Sequence, residues 1–103
     1  MLKRNKTIKR IIERDGTRCW ICGEEIASNL LMVRYSQLGN NSLAANKDHV
    51  IPVSKGGKNH LDNLKLSHAA CNSRRADRDI TPELVEWCRK TVARIKSEKK
   101  RSK

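Results

Sequence analysis

The pattern of apolar and polar residues predicts a helix near each end of the chain. In residues 2–14, isoleucines recur among basic residues at the spacing of a short amphipathic helix, and an Asp-Gly pair at 15–16 predicts its end. A Thr-Pro-Glu run at 81–83 supplies an N-cap, a proline at the first helical position and an acid in the first turn. We expect the polar residues 96–103 to be frayed. One apolar stripe of this second helix comprises Leu84, Trp87, Cys88, Val92 and Ile95.

Shorter apolar runs in the middle of the chain predict β-strands. Residues 30–35 have strand character, and a turn at 39–42 follows them, so we expect a hairpin there. Residues 49–53 predict a strand that enters a glycine-containing loop, and residues 63–66 predict a short second strand. Residues 67–78 then have helical composition. The sequence therefore predicts a small α+β domain with helices at both ends.

Composition points to one domain that binds a polyanion. A chain of 103 residues with 37% hydrophobic and 3% aromatic residues has a thin core, so we expect a metal or a partner to add stability. Lys and Arg number 23 against 11 Asp and Glu, and the formal charge of +12 favours nucleic acid as the partner. No apolar run approaches the roughly 18 to 20 residues of a membrane-spanning helix. The basic start lacks the apolar run of a signal peptide, so we expect a cytoplasmic protein with no membrane partner.

Two pairs of residues have the spacing of zinc ligands. Cys19 and Cys22 form a CxxC pair, and His68 and Cys71 repeat the same three-residue step with an imidazole first. Zinc accepts thiolate and imidazole, so a structural Cys3His site is chemically complete. Without an export signal, such pairs favour zinc over disulfides. The alternatives are a redox CxxC pair, or Cys88 in place of His68, although we expect Cys88 to pack as a small hydrophobic residue.

A second group of polar residues has the composition of a nuclease site. Asp48 and His49 are followed by Asn63 and Asn72, which would gather a carboxylate, an imidazole and two amides around one loop and one helix start. Aspartate and asparagine offer the hard oxygen ligands that Mg²⁺ or Mn²⁺ prefers, and histidine is a competent base near neutral pH. The same residue types commonly cap turns and helices, so this pattern alone leaves a structural role open.

Three stretches of the sequence resemble the signature of the HNH endonuclease family. They are DHVIPVSKGG at 48–57, LDNL at 61–64 and CNSRR at 71–75, and CWICG at 19–23 resembles the zinc knuckle that usually precedes them. The resemblance covers about residues 14–78, and together with the length of the chain it predicts a single HNH endonuclease domain over 1–103. Its ββα-metal (His-Me finger) core would be stapled by the structural zinc and flanked by a basic helix at about 2–14 and a basic helix and tail at about 82–103.

The resemblance also implies a role for each residue of the second group. Asp48 and Asn72 would bind a catalytic Mg²⁺ or Mn²⁺, and His49 would activate the water that hydrolyses a DNA phosphodiester. Asn63 would brace the loop and hold the imidazole in its useful orientation. His68 departs from the family, which more often has cysteine there, and Ala76 stands where a glycine is common, a change that we expect to be harmless.

The implied substrate is double-stranded DNA. We expect Lys55 and Lys58 of the loop and Arg74, Arg75 and Arg78 of the following helix to contact it. The competing hypothesis is a zinc-stapled DNA-binding module without catalysis. A homodimer or a protein partner is compatible with either hypothesis. Chains that resemble this one occur in phage DNA packaging, mobile introns and restriction systems.

Overall fold

The computed structural model describes residues 2–32 and 41–101 of the chain, and the protein has a small α+β fold. Single turns of 3₁₀ helix lie in the connections between the main elements. The helices are α1 (Leu2–Asp15), α2 (Ala69–Arg75) and α3 (Pro82–Arg101), and the strands are β1 (Ala45–His49) and β2 (Leu64–His68). The 3₁₀ turns are Ser28–Leu30, Val53–Lys55 and Leu61–Asn63.

The two strands form an antiparallel pair that leads directly into α2. Ala45 lies opposite His68 and His49 lies opposite Leu64, so one strand ends beside the start of the other. The prediction of a strand over 49–53 is wrong, because His49 is the last residue of β1 and not the first. Pro52 has no N–H to give to a strand ladder. The apolar side chains on either side of it, Ile51 and Val53, are exposed.

Two other predicted elements also differ from the structure. Leu30 lies in a 3₁₀ turn and packs against the core, so residues 30–32 are not a strand, and residues 33–40 lie outside the described part of the chain. The helix predicted over 67–78 is shorter, because its first two residues still belong to β2. It ends at Arg75, because the next residue, Ala76, has a positive φ of 53° that leaves the helical region.

The flanking helices close the core from both sides of the hairpin. In α1, Ile8 and Ile11 are fully buried, and in α3, Cys88 and Val92 are buried on the predicted stripe. The helix α3 continues to Arg101, so residues 96–101 are helical and the expected fraying is wrong for them. None of the helices in residues 2–32 and 41–101 is long and apolar enough to cross a membrane.

Candidate metal centre and nuclease site

The two predicted zinc-ligand pairs lie on separate elements that the backbone holds together. Cys19 and Cys22 flank a tight turn in which the Gly23 N–H donates to the Cys19 carbonyl at 2.8 Å, and Gly23 adopts a φ of 80° that favours glycine. His68 ends β2, and Cys71 lies in the first turn of α2. The N–H of Trp20 donates to the carbonyl of Leu66 at 2.9 Å, which fixes the turn against β2.

The four side chains have the geometry of a tetrahedral metal site. Their ligand atoms all lie within 4.8 Å of one another, and all four residues are buried. The Nδ1 of His68 lies 3.5 Å from the Sγ of Cys22 and 3.7 Å from the Sγ of Cys71. A tetrahedral Zn²⁺ with ordinary bond lengths holds sulfur and nitrogen about 3.5 Å apart. The donor set therefore fits zinc, with His68 binding through Nδ1, and the cluster includes His68 and not Cys88.

The four groups also shift one another's protonation. Hydrogen bonds with Cys22 and Cys71 lower the pKa of the Cys19 thiol, and contacts with Cys19 and Cys22 raise the pKa of the Cys71 thiol. Burial lowers the pKa of His68, but hydrogen bonds and charge from Cys19 and Cys22 outweigh burial and raise it to about 9. Because zinc ligands must be deprotonated, a metal that binds here displaces these shared protons.

Asp48 lies near the end of β1 and is buried, with only 3% of its surface exposed. Its Oδ2 accepts hydrogen bonds from the indole Nε1 of Trp20 and from the guanidinium Nη1 of Arg75, each at 2.9 Å. Burial raises the pKa of this carboxyl, although the charge and hydrogen bonds of Arg75 and the hydrogen bond of Trp20 act in the opposite direction. Asp48 is therefore tied to the zinc turn through Trp20 and to α2 through Arg75.

The imidazole of His49 contacts a residue that the sequence did not indicate. Its Nε2 lies 3.1 Å from the side-chain oxygen of Asn59. An amide oxygen accepts hydrogen bonds but cannot donate them, so a neutral His49 ring in this contact carries its proton on Nε2 and its lone pair on Nδ1. Asn59 thus selects the tautomer of His49. Nothing in the sequence separates Asn59 from an ordinary loop asparagine.

Asn63 makes three side-chain hydrogen bonds across the loop that follows β1. Its Oδ1 accepts from the N–H of Ile51 at 2.8 Å, and its Nδ2 donates to the carbonyls of Ile51 at 3.0 Å and Lys58 at 2.9 Å. A Cβ at Gly57 would collide with the Ile51 carbonyl, so this position requires glycine. Asn63 makes no hydrogen bond with the imidazole of His49. Its hydrogen bonds instead fix the loop that carries Asn59.

Asn72 lies in α2 beside the residue that precedes Asp48. Its Nδ2 donates to the carbonyl of Lys47 at 3.5 Å. This contact places Asn72 beside the residue of β1 that precedes Asp48.

Four of the five expected DNA-contacting residues are exposed, but Arg75 is not. Lys55, Lys58, Arg74 and Arg78 are accessible to solvent, and Arg74 stacks over the Trp87 ring at 4.7 Å. Arg75 is 3% exposed and directs its guanidinium into the protein. Its expected contact with DNA is therefore wrong, because the side chain is enclosed between α2 and the end of β1.

Comparison with known proteins agrees with this architecture. A family model described as HNH endonuclease matches residues 19–78, which is more than half of the chain. No curated protein and no solved structure matched the chain. The matched segment contains both zinc-ligand pairs, the antiparallel hairpin and α2, which is the ββα-metal arrangement that the family implies. The chain therefore belongs to the HNH endonuclease family.

Proposed function

We propose that this protein is a metal-dependent DNA endonuclease that hydrolyses phosphodiester bonds with His49 as the general base. The observation that carries the proposal is the hydrogen bond between His49 Nε2 and Asn59. In the neutral imidazole this contact places the lone pair on Nδ1, and a base must have its lone pair free to accept a proton from water. Nδ1 of His49 takes the proton from the attacking water, and Asn59 keeps the ring oriented during the transfer.

Asp48 and Asn72 would hold the catalytic cation. A carboxylate and an amide oxygen are hard donors of the kind that Mg²⁺ or Mn²⁺ prefers, and so few protein ligands favour an exchangeable ion over tightly bound zinc. Oδ1 of Asp48 accepts no hydrogen bond from any residue in 2–32 or 41–101, so it fits this use. When bound, the cation supplies charge neutralisation at phosphorus and stabilises the leaving oxygen.

Double-stranded DNA would bind over the loop and α2. Lys55 and Lys58 stand on the loop that Asn63 fixes, and Arg74 and Arg78 stand on the exposed side of α2 and just beyond it. They would contact phosphates, which positions the duplex without reading its sequence. The formal charge of +12 supports the same partner.

A supercoiled plasmid tests the proposal directly. We expect the zinc-loaded protein to nick it with Mg²⁺ or Mn²⁺ and not with EDTA. Asp48→Ala and Asn72→Ala should lose activity that a higher Mn²⁺ concentration partly restores, because they weaken the cation. His49→Ala should show no such recovery. Identical Mn²⁺ titrations for the three variants would contradict the division of roles.

The second candidate is a zinc-stapled DNA-binding module without catalysis. The buried pair of Asp48 and Arg75 favours it, because a carboxylate that is 3% exposed and paired with a guanidinium also suits a purely structural role. This module would bind duplex DNA in a salt-dependent manner, take up no Mn²⁺ beyond its zinc and leave the plasmid supercoiled. Mn²⁺ binding to the zinc-loaded protein separates the two candidates.

A further inference from the structure

Two buried donors converge on one oxygen of Asp48. The indole Nε1 of Trp20 and the Nη1 of Arg75 each lie 2.9 Å from Oδ2. The same guanidinium donates to the carbonyl of His49 at 2.6 Å and to the carbonyl of Val50 at 2.8 Å. Oδ1 receives no hydrogen bond from the part of the chain that the structure describes. The carboxylate is thus held on one side only.

The contacts of Arg75 account for nearly all of its donors. Besides the bonds above, its Nε donates to the carbonyl of Arg78 at 2.8 Å, and its guanidinium carbon lies 5.4 Å from the centre of the Trp20 ring. Burying a guanidinium is costly unless it is fully paired, and the planar fork of arginine suits several acceptors at once. Lysine could not reproduce this set of directed bonds. Arg75 therefore fixes the end of β1 as well as the Asp48 side chain.

We propose that Arg75 and Trp20 are positioning residues that hold Asp48 by Oδ2 so that Oδ1 is directed at the catalytic cation. This inference rests on the proposed function. A ligand locked by neighbouring hydrogen bonds loses less conformational freedom when the ion binds, so it binds more tightly. Trp20 lies between the zinc ligands Cys19 and Cys22, so the zinc knuckle supplies one of the two donors.

The test compares conservative variants with a matched control. Trp20→Phe keeps an aromatic ring and removes the N–H, and Arg75→Lys keeps the charge and removes the fork. Trp87→Phe is the control, because the Trp87 N–H has no partner within residues 2–32 and 41–101. Each zinc-loaded variant is titrated with Mn²⁺, and the free ion is measured by electron paramagnetic resonance.

We expect Trp20→Phe to weaken Mn²⁺ binding about fivefold and Arg75→Lys about tenfold, since hydrogen bonds to charged groups are strong and part of their effect reaches the ion. Trp87→Phe should stay within twofold, and all variants should keep one zinc. When cleavage is measured over a range of DNA concentrations at low Mn²⁺, kcat of Trp20→Phe and Arg75→Lys should fall while their KM for DNA stays constant. Arg75→Lys should keep the salt dependence of DNA binding, because the side chain is buried.

Several outcomes would overturn the inference. Mn²⁺ affinity within twofold of wild type in Trp20→Phe would show that its hydrogen bond is structural only, whatever the change in melting temperature. A flatter salt dependence of DNA binding in Arg75→Lys would show that Arg75 contacts DNA. If Arg75→Lys does not fold, Trp20→Phe decides alone. If wild type binds Mn²⁺ and nicks DNA while Trp20→Phe behaves identically, only the inference fails. If wild type does neither, the proposed function fails and the inference with it.

Discussion

Replacing Asn63 by alanine should reduce the proposed cleavage activity through the loop that follows β1 and not through binding of the proposed cation. The side chain makes three hydrogen bonds, two with Ile51 and one with Lys58. Each contributes about 0.5–1.5 kcal/mol, so the loop should lose about 3 kcal/mol of stabilisation. Released from Asn63, the loop no longer holds Asn59 against His49. A misplaced catalytic group lowers the rate by roughly 10²-fold, and we expect kcat to fall by that amount.

A set of variants separates the loop from other causes. Asn63→Asp keeps the acceptor for the Ile51 N–H but sets a carboxylate against two carbonyl oxygens, so it should not restore activity. Asn29→Ala changes an exposed asparagine and should behave as wild type. Cleavage of a plasmid and amide hydrogen exchange at Ile51 measure the two effects together. Activity of Asn63→Ala within about threefold of wild type, or a loss that follows Mn²⁺ affinity, would refute this reasoning.

Three further predictions concern the backbone, the zinc and the charged end of the chain. Ala76 has a positive φ of 53°, contrary to the expectation that alanine is harmless there, so Ala76→Gly should stabilise the protein by about 1–2 kcal/mol in urea unfolding. An unchanged midpoint would contradict the strain. Elemental analysis should find zinc lost in His68→Ala and Cys22→Ser and kept in Cys88→Ser. Because the pKa of His68 is raised to about 9, protons compete with zinc below that pH, and zinc affinity should fall as the pH is lowered. Deleting residues 99–103 removes four basic residues and should flatten the salt dependence of DNA binding without changing the cut sites. An unchanged slope would mean that these charges serve solubility alone.

The helices could be predicted from the sequence because their signals are local. Ile8 and Ile11 of α1 are buried as their spacing indicates, and Thr81 caps α3 through a hydrogen bond from the Leu84 N–H to its Oγ1 at 3.2 Å. The strand β1 could not be predicted in the same way. Its sequence, ANKDH, lacks the alternation of a half-buried strand, and its pairing with β2 depends on tertiary structure. The apolar residues Ile51 and Val53, which are exposed in the structure, led to the prediction of a strand over 49–53, although β1 ends at His49.

The candidate site, like the fold, could be predicted from the sequence only where the signal is local. The Cys3His cluster follows from two short spacings, and the bracing of the loop by Asn63 follows from the family resemblance. The partners of Asp48 were beyond the sequence, since Trp20 and Arg75 lie 28 and 27 residues away along the chain. A basic residue on a helix beside a DNA site predicts a phosphate contact. Only the fold shows that Arg75 faces inward.

The central claim is that His49 is the general base of a DNA endonuclease, and single-turnover cleavage of a supercoiled plasmid by His49→Ala tests it most directly. The variant should keep its zinc and its DNA affinity, because His49 contacts neither the zinc cluster nor the four exposed basic side chains. His60→Ala is the matched control, since that histidine is exposed in the loop that follows β1. A general base contributes about 10²–10⁴-fold, so we expect a loss in that range for His49→Ala and none for His60→Ala. Cleavage by His49→Ala within about tenfold of wild type would contradict the claim.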